Sequence, residues 1–140
     1  MHFNTKVRYG LRVMIEIALH NDDKEGVFQK DIAFRQGISY KYLDHIISAL
    51  KIANLVVKKG PRKGYVLTKA PSDISLYDIE QAFEPEMLLQ ECIGNPELCE
   101  RSGICQARHV WVALNDKILE FLKSLSLADI INTKVPLHQF

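Results

Sequence analysis

Cys92, Cys99 and Cys105 are the only thiols in this 140-residue chain, and they fall within fourteen residues of one another. Thiols crowded into one short segment have a shared task, most simply holding a metal ion or an inorganic cluster. A disulfide framework would scatter its cysteines and leave none over. The spacing is C-x6-C-x5-C, with Gly94, Pro96 and Gly103 supplying bends that let three sulfurs converge. It lacks the C-x2-C knuckle of most structural zinc sites. Thiolates suit iron–sulfur clusters, which usually take four protein ligands, sometimes with a histidine replacing a cysteine. Three cysteines therefore leave one ligand to find. The competing reading of the same residues is a set of unmetallated thiols that respond to redox state.

The loop needs a scaffold. Length and composition fit one globular domain, or one domain with an appendage, and no run approaches the roughly 20 apolar residues of a membrane span. The N-terminal stretch carries a charge every few residues, unlike a signal peptide, so a reducing cytoplasm is the expected location. The net charge of +1 conceals a division. Residues 1–70 hold 13 Lys+Arg against 6 Asp+Glu, whereas residues 71–140 hold 5 against 11. A basic front half suggests a polyanion as partner, and the acidic back half suggests other work.

Val7, Leu11, Met14, Ile15, Ala18 and Leu19 form the stripe of an amphipathic helix from Thr5 to His20. Asn21-Asp22-Asp23 and Gly26 end it. Gln29 to Gln36 reads as a short second helix. Gly37 supplies a turn, and Ser39 is a good N-cap for a third helix, Tyr40 to about Ala53, with Leu43, Ile46, Ile47 and Leu50 inward. Two β-rich runs, Leu55–Lys59 and Tyr65–Thr68, flank a Gly/Pro loop and predict a hairpin. Ser75 and Asp78 resemble an acidic capping box opening a helix to about Phe83, with Leu76, Ile79 and Phe83 inward. Regularity is weak from Pro85 to Cys105. It returns over 106–125, where Val110, Leu114, Ile118, Phe121, Leu122 and Leu125 make one stripe. A short LADII turn or helix and a tail after Thr133 complete the chain.

Helix, helix, glycine turn, capped helix and hairpin is the order of a winged helix-turn-helix. The third helix would offer Lys41, Asp44, His45 and Ser48 to a major groove, with Ser39 and Tyr40 at its start. Asp44 is the informative choice. A carboxylate near phosphates is costly, so one that faces DNA is placed to accept from a cytosine amino group. Lys58, Lys59, Arg62 and Lys63 concentrate positive charge on the hairpin, and Gly60, Pro61 and Gly64 let its tip turn sharply against the backbone or a narrow minor groove. His45 and Tyr40 could equally be partly buried neighbours of the hairpin.

Together, TKVRYGLRVM, the ISYKYLDHIISAL helix, the KGPRKGY wing and the three-cysteine loop before an HVW-bearing helix resemble the IscR/NsrR/CymR regulators, from about residue 3 to 132. The resemblance implies homodimeric winged-helix transcription factors in which the long C-terminal helix crosses between subunits with a cluster beside it. Members with three cysteines bind [2Fe–2S] or [4Fe–4S] clusters and sense cluster supply, iron, nitric oxide or redox state. Cysteine-free members control sulfur metabolism through a partner enzyme. Carried over, Cys92, Cys99 and Cys105 match the family's ligands, Lys41 and Asp44 fall on base-reading positions, and Lys59 falls on a wing position that is often arginine. Three departures stand out. The first cysteine gap is one residue longer than the usual five. Arg108 occupies the place where [2Fe–2S] members have a histidine, with His109 one residue later. The aspartate by which nitric-oxide-sensing members complete the cluster across the dimer is here Arg8. The fourth ligand is therefore His109, Glu91, Glu100, an exogenous group or none.

The expected architecture is mainly α: a winged helix-turn-helix over 1–84 with a two-stranded β wing, a cluster loop over 85–105, a dimerisation helix and short terminal helix over 106–132, and a loose tail over 133–140. The expected function is a homodimeric regulator, acting as a repressor at a palindromic double-stranded operator, with an iron–sulfur cluster setting its affinity. A thiol-switch or zinc-binding regulator and a protein-interaction winged helix that docks a partner enzyme are the alternatives. No Ser/His/Asp or Cys/His arrangement has the context of an active site, so catalysis is not expected.

Overall fold

The computed structural model describes residues 3–132; the expected loose tail over 133–140 lies outside them. Helix α1 (Thr5–Leu19) starts where the Asn4 side chain accepts a hydrogen bond from the Val7 amide at 2.8 Å. Its inward stripe is Val7, Val13, Met14, Ile17 and Ala18, of which Val13, Met14 and Ile17 lose all contact with solvent. Leu19, expected inward, is exposed, because the helix ends there and the chain turns away.

Helix α2 (Gln29–Gln36) closes on Gly37, whose φ of 62° is the left-handed stop that glycine accepts without cost. Helix α3 (Tyr40–Ile52) begins at Ser39, whose Oγ accepts from the Tyr42 amide at 3.2 Å. Leu43, Ile46, Ile47 and Leu50 are buried as the periodicity requires. Strands β1 (Val56–Lys58) and β2 (Tyr65–Leu67) pair antiparallel with Val57 opposite Val66. The segment before α2 adds a further rung: Val27 and Tyr65 exchange both main-chain hydrogen bonds, at 2.8 and 2.9 Å. One residue of extended chain leaves no alternation to read, so this rung has no signal in the sequence.

Helix α4 (Leu76–Gln81) opens on the capping box of Ser75 and Asp78. After the one-turn helix α5 (Glu91–Gly94), the long α6 (Gln106–Ser124) leads to α7 (Leu127–Ile131), which opens on a second capping box, Ser126 with Asp129. The two caps meet: Leu76 N–H donates to Leu125 and Leu127 N–H to Ile74, at 2.9 and 2.7 Å. That bridge pulls Leu127 into the same core as α1 and α3, where it is fully buried. Phe83 packs on α1 at Gly10, where any Cβ would overlap its ring.

Two buried carboxylates act in opposite senses. Glu16 on α1 receives Arg35 Nη1 and Gln36 Nε2, each at 2.9 Å, and Arg12 also grips Gln36, so the end of α2 is bound to α1. Burial raises the Glu16 pKa, but hydrogen bonds from Arg35 and Gln36 and the nearby positive charge outweigh it, and the net shift is downward. Glu80 on α4 is wholly buried, with Oε1 lacking a hydrogen bond among the described residues. Burial pushes its pKa up; the bond from Gln81 opposes this only in part, and Glu84 adds to it.

The signs follow. Glu16, depressed in the fold, stabilises above its ordinary pKa, and this is lost as pH falls through the folded value. Glu80, raised in the fold, costs stability as pH rises through its folded value. Glu16→Ala should destabilise the protein by about 1.5–3 kcal/mol at neutral pH, the usual worth of hydrogen bonds to a charged group, and by less in acid. Glu80→Met should stabilise it by about 1–3 kcal/mol at neutral pH, and the gain should vanish near pH 4. Urea titrations between pH 4 and 8 read both.

Candidate nucleic-acid interface and cysteine loop

Helices α2 and α3, the Gly37 turn and the β1–β2 hairpin together form the winged helix-turn-helix. On the outer side of α3, Ser39, Tyr40, Lys41, Asp44, His45 and Ser48 are all exposed, so the residues expected at a major groove share one free face. Ser39 spends its hydroxyl oxygen on the helix cap. Asp44 Oδ1 accepts a hydrogen bond from Gln29 Nε2 at 2.8 Å, a partner that sequence reasoning missed. The exposed carboxylate faces solvent from the second turn of α3, beside Lys41 and His45 in the sequence.

The wing departs from expectation in two respects. Of its four cations, three are tethered. Lys58 lies 5.9 Å from the Tyr65 ring centroid, Lys59 Nζ donates to the Asp23 carbonyl at 2.9 Å, and Lys63 pairs with Glu25 at 2.7 Å. The Lys58 contact lies within the hairpin, and the Lys59 and Lys63 ties hold it against the segment between α1 and α2. Exposed pairs of this kind contribute little stability. Arg62 stands at the tip.

The glycines are used differently from the sequence reading. Lys63 N–H donates to Gly60 at 3.0 Å around Pro61 and Arg62, and Arg62 has φ 59°. This is a turn with proline at its second position, in which arginine occupies the left-handed third position that usually favours glycine. Gly64 serves close packing instead: a Cβ there would overlap the main chain of Val27. It is what allows Val27 to form the extra rung with Tyr65.

The cysteine loop between α4 and α6 is more ordered than its breakers suggest. It contains α5 and a 3₁₀ turn, Pro96–Leu98. Two side chains of α6 hold it. Arg108 Nε donates to the Cys92 carbonyl at 3.0 Å, and the buried Asn115 accepts from the Leu89 amide at 2.9 Å. Arg108, at the place of the family's histidine, thus works as a strut. His109 is exposed one position round the helix. Cys92 and Cys105 are half-buried, Cys99 is exposed, and all three are free thiols. Cys105 is the N-cap of α6. Cys92 and Cys99 line a concavity of about 650 Å³ with Glu86 and Glu91, whereas Cys105 is outside that lining. Among the described residues no three His, Cys, Asp or Glu side chains are gathered into a metal-holding group. The donor set nevertheless fits a thiophilic centre: three thiols on one short loop, two of them at one concavity.

Helix α6 contributes one further feature. Of the apolar stripe read from the sequence, Leu122 is buried, but Val110, Leu114 and Phe121 are exposed, with Trp111 beside them at 40 %. Ile118 and Leu125 are half-buried, so half of the stripe's six residues are exposed. Phe121 also joins Leu76, Ile118 and Leu122 along an apolar groove. No helix among the described residues is long and apolar enough to cross a membrane.

A capped recognition helix presented beside a basic wing defines a DNA-binding transcriptional regulator. The chain belongs to the Rrf2 family, whose description, iron-dependent transcriptional regulator, matches over residues 3–133. It is 34% identical to the protein rrf2 of Nitratidesulfovibrio vulgaris over 94% of this chain and 87% of that one. It is 33% identical to the HTH-type transcriptional regulator IscR of Pectobacterium carotovorum over 96% and 81%. Among solved structures it resembles CymR, the global cysteine regulator of B. subtilis, with a TM-score of 0.78, 30% identity, and 95% and 98% of the two chains covered. It also resembles T. potens IscR, with a TM-score of 0.75, 29% identity, and 100% and 94% covered. These relatives are regulators of transcription, and this protein is not an enzyme.

The two wing glycines should separate cleanly. Gly64→Ala forces backbone apart and should cost about 1–3 kcal/mol, with weaker DNA binding as the wing loosens. A Cβ at Gly60 meets only the Lys63 side chain, at 3.5 Å, so Gly60→Ala should stay within about 0.5 kcal/mol of the parent. Chemical denaturation and a gel shift report both.

Proposed function

We propose that this protein is a homodimeric regulator that grips a palindromic operator through paired α3 helices and wings, and that an iron–sulfur cluster held by Cys92, Cys99 and Cys105 sets that grip. The carrying observation is that the loop bearing all three thiols is fastened by Arg108 and Asn115 to the helix bearing the exposed apolar face. The iron-dependent description of the family and the IscR relatives support the choice of cofactor. The cluster would be of the [2Fe–2S] or [4Fe–4S] type. His109, Glu91 or Glu100 are the protein's candidates for a fourth ligand; the loop geometry leaves the place open to an exogenous one. When bound, the cluster supplies an iron centre that is sensitive to oxidants and to iron supply.

The chain's own residues provide the transmission. Val110, Leu114 and Phe121 offer α6 to a second copy; an apolar face of this kind beside a groove is what a symmetric helix pair would cover. Helix α6 packs on α4, with Lys123 Nζ 4.7 Å from the Tyr77 ring centroid, and α4 packs on α1, which carries the recognition unit. A shift of the loop at Cys92 or Leu89 therefore reaches the spacing of the two reading helices through packed elements. Lys41 and Asp44 would read bases, with Ser39, Tyr40 and His45 flanking them. Lys58, Lys59, Arg62 and Lys63 would meet phosphates or the minor groove.

A second reading has its own support: a regulator whose thiols switch by oxidation or hold zinc. Cys99 is exposed, and the resemblance to CymR extends over nearly the whole chain.

Protein isolated without oxygen should be brown, carry iron and sulfide, and lose both on Cys92→Ser, Cys99→Ser or Cys105→Ser. Loading and stripping iron should change operator affinity about 5–150-fold, the span of a coupling of about 1–3 kcal/mol. Binding should weaken linearly in log–log terms as salt rises. Colourless protein whose DNA binding responds only to thiol oxidants or chelated zinc would decide for the second reading.

A further inference from the structure

We propose that Gln29 is a specificity-determining positioning residue for DNA, acting by aiming the Asp44 carboxylate. This deepens the DNA-reading assignment above and rests on it. Gln29 is the first residue of α2 and Asp44 lies in the second turn of α3. They meet across the helix-turn-helix, with Gln29 Nε2 2.8 Å from Asp44 Oδ1 and 3.5 Å from the Tyr40 carbonyl oxygen. Both neighbours are pure acceptors, so the amide has only one consistent orientation: its NH2 group faces α3 and its oxygen points away.

Three consequences follow from that orientation. A lone aspartate on a helix surface samples several rotamers, whereas one anchored through Oδ1 presents Oδ2 in a single direction. Among the described residues Oδ2 accepts no hydrogen bond, so it is left for a partner. The anchor is also neutral. A lysine or arginine in its place would cancel the carboxylate's charge, whereas an amide orients the group and leaves the charge whole. An undiminished carboxylate is repelled by the acceptors of guanine and by thymine O4, and it accepts from an exocyclic amino group, that of cytosine above all. Pre-setting the side chain also removes part of the entropy lost when the contact forms. Selectivity at one base pair thus depends on a residue of the preceding helix that need not touch the base.

The test is selection of bound duplexes from a random-sequence library by the full-length protein, wild type, Gln29→Ala, Asp44→Ala and the double variant, read as base preference at each position. Wild type should show a position with about tenfold or greater preference for cytosine, in line with one good base contact. Asp44→Ala should lose the preference there alone. Gln29→Ala should reduce it at that same position to about threefold or less, leave the other positions unchanged, and add nothing to Asp44→Ala in the double variant.

The proposal is overturned if Gln29→Ala keeps the full preference at the Asp44-dependent position, or flattens every position equally, as a mere tether between helices would. If Asp44→Ala alters no position, or the wild type selects no sequence, the base-reading assignment falls and takes this inference with it.

Discussion

The elements that could touch DNA are referred to one central helix, α1. Helix α1 gives three completely buried side chains to the core and one buried carboxylate to α2. Glu16 receives donors from the last turn of α2, and Arg12 holds the same turn from the exposed side while stacking over Tyr9 at 5.1 Å. Tyr9 in turn meets Tyr42 of α3 edge to face at 5.6 Å. The two helices of the reading unit are thus fixed to the same pillar, α2 by charged hydrogen bonds and α3 by a ring contact, which have direction, as well as by apolar burial, which has none. The pillar also carries α4 and α7.

Much of this was legible in the residues because each element carries its own punctuation. Gly37, Ser39 and the Ser75/Asp78 pair mark helix ends by a mechanism local to a few residues. The boundaries of α2 and the start of α3 were therefore readable without tertiary information. The wing's two strands were legible for the same reason. What escaped were features made by distant segments: the Val27 rung, the Gln29–Asp44 bond and the meeting of the Ser75 and Ser126 caps. None has a periodic signature, and each needs the fold before it exists.

The glycines show how a correct residue can carry a wrong reason. Gly60, Pro61 and Gly64 suggest a tip whose bend is made by glycine, yet the left-handed position belongs to Arg62 and the close approach to Gly64. Placing arginine there sets a cation at the far point of the hairpin at the expense of backbone strain. A structure that holds a non-glycine residue in that region does so against its conformational preference, and here the side chain so placed is the one that a phosphate would meet first.

The long helix is where sequence periodicity and packing part company. Its apolar stripe is regular enough to predict burial, and a monomer buries only part of it. Periodicity reports that a face avoids water; it does not say which chain covers the face. Leu122 is covered by this chain, while Val110, Leu114 and Phe121 are not. The division falls around the helix rather than along it: Leu122 faces the core, while its neighbour Phe121, like Val110 and Leu114 nearer the cysteines, does not. A second copy seated on that bare face would lie against the helix to which Arg108 and Asn115 fasten the cysteine loop, so the contact that covers the face and the loop that bears the thiols would share one element.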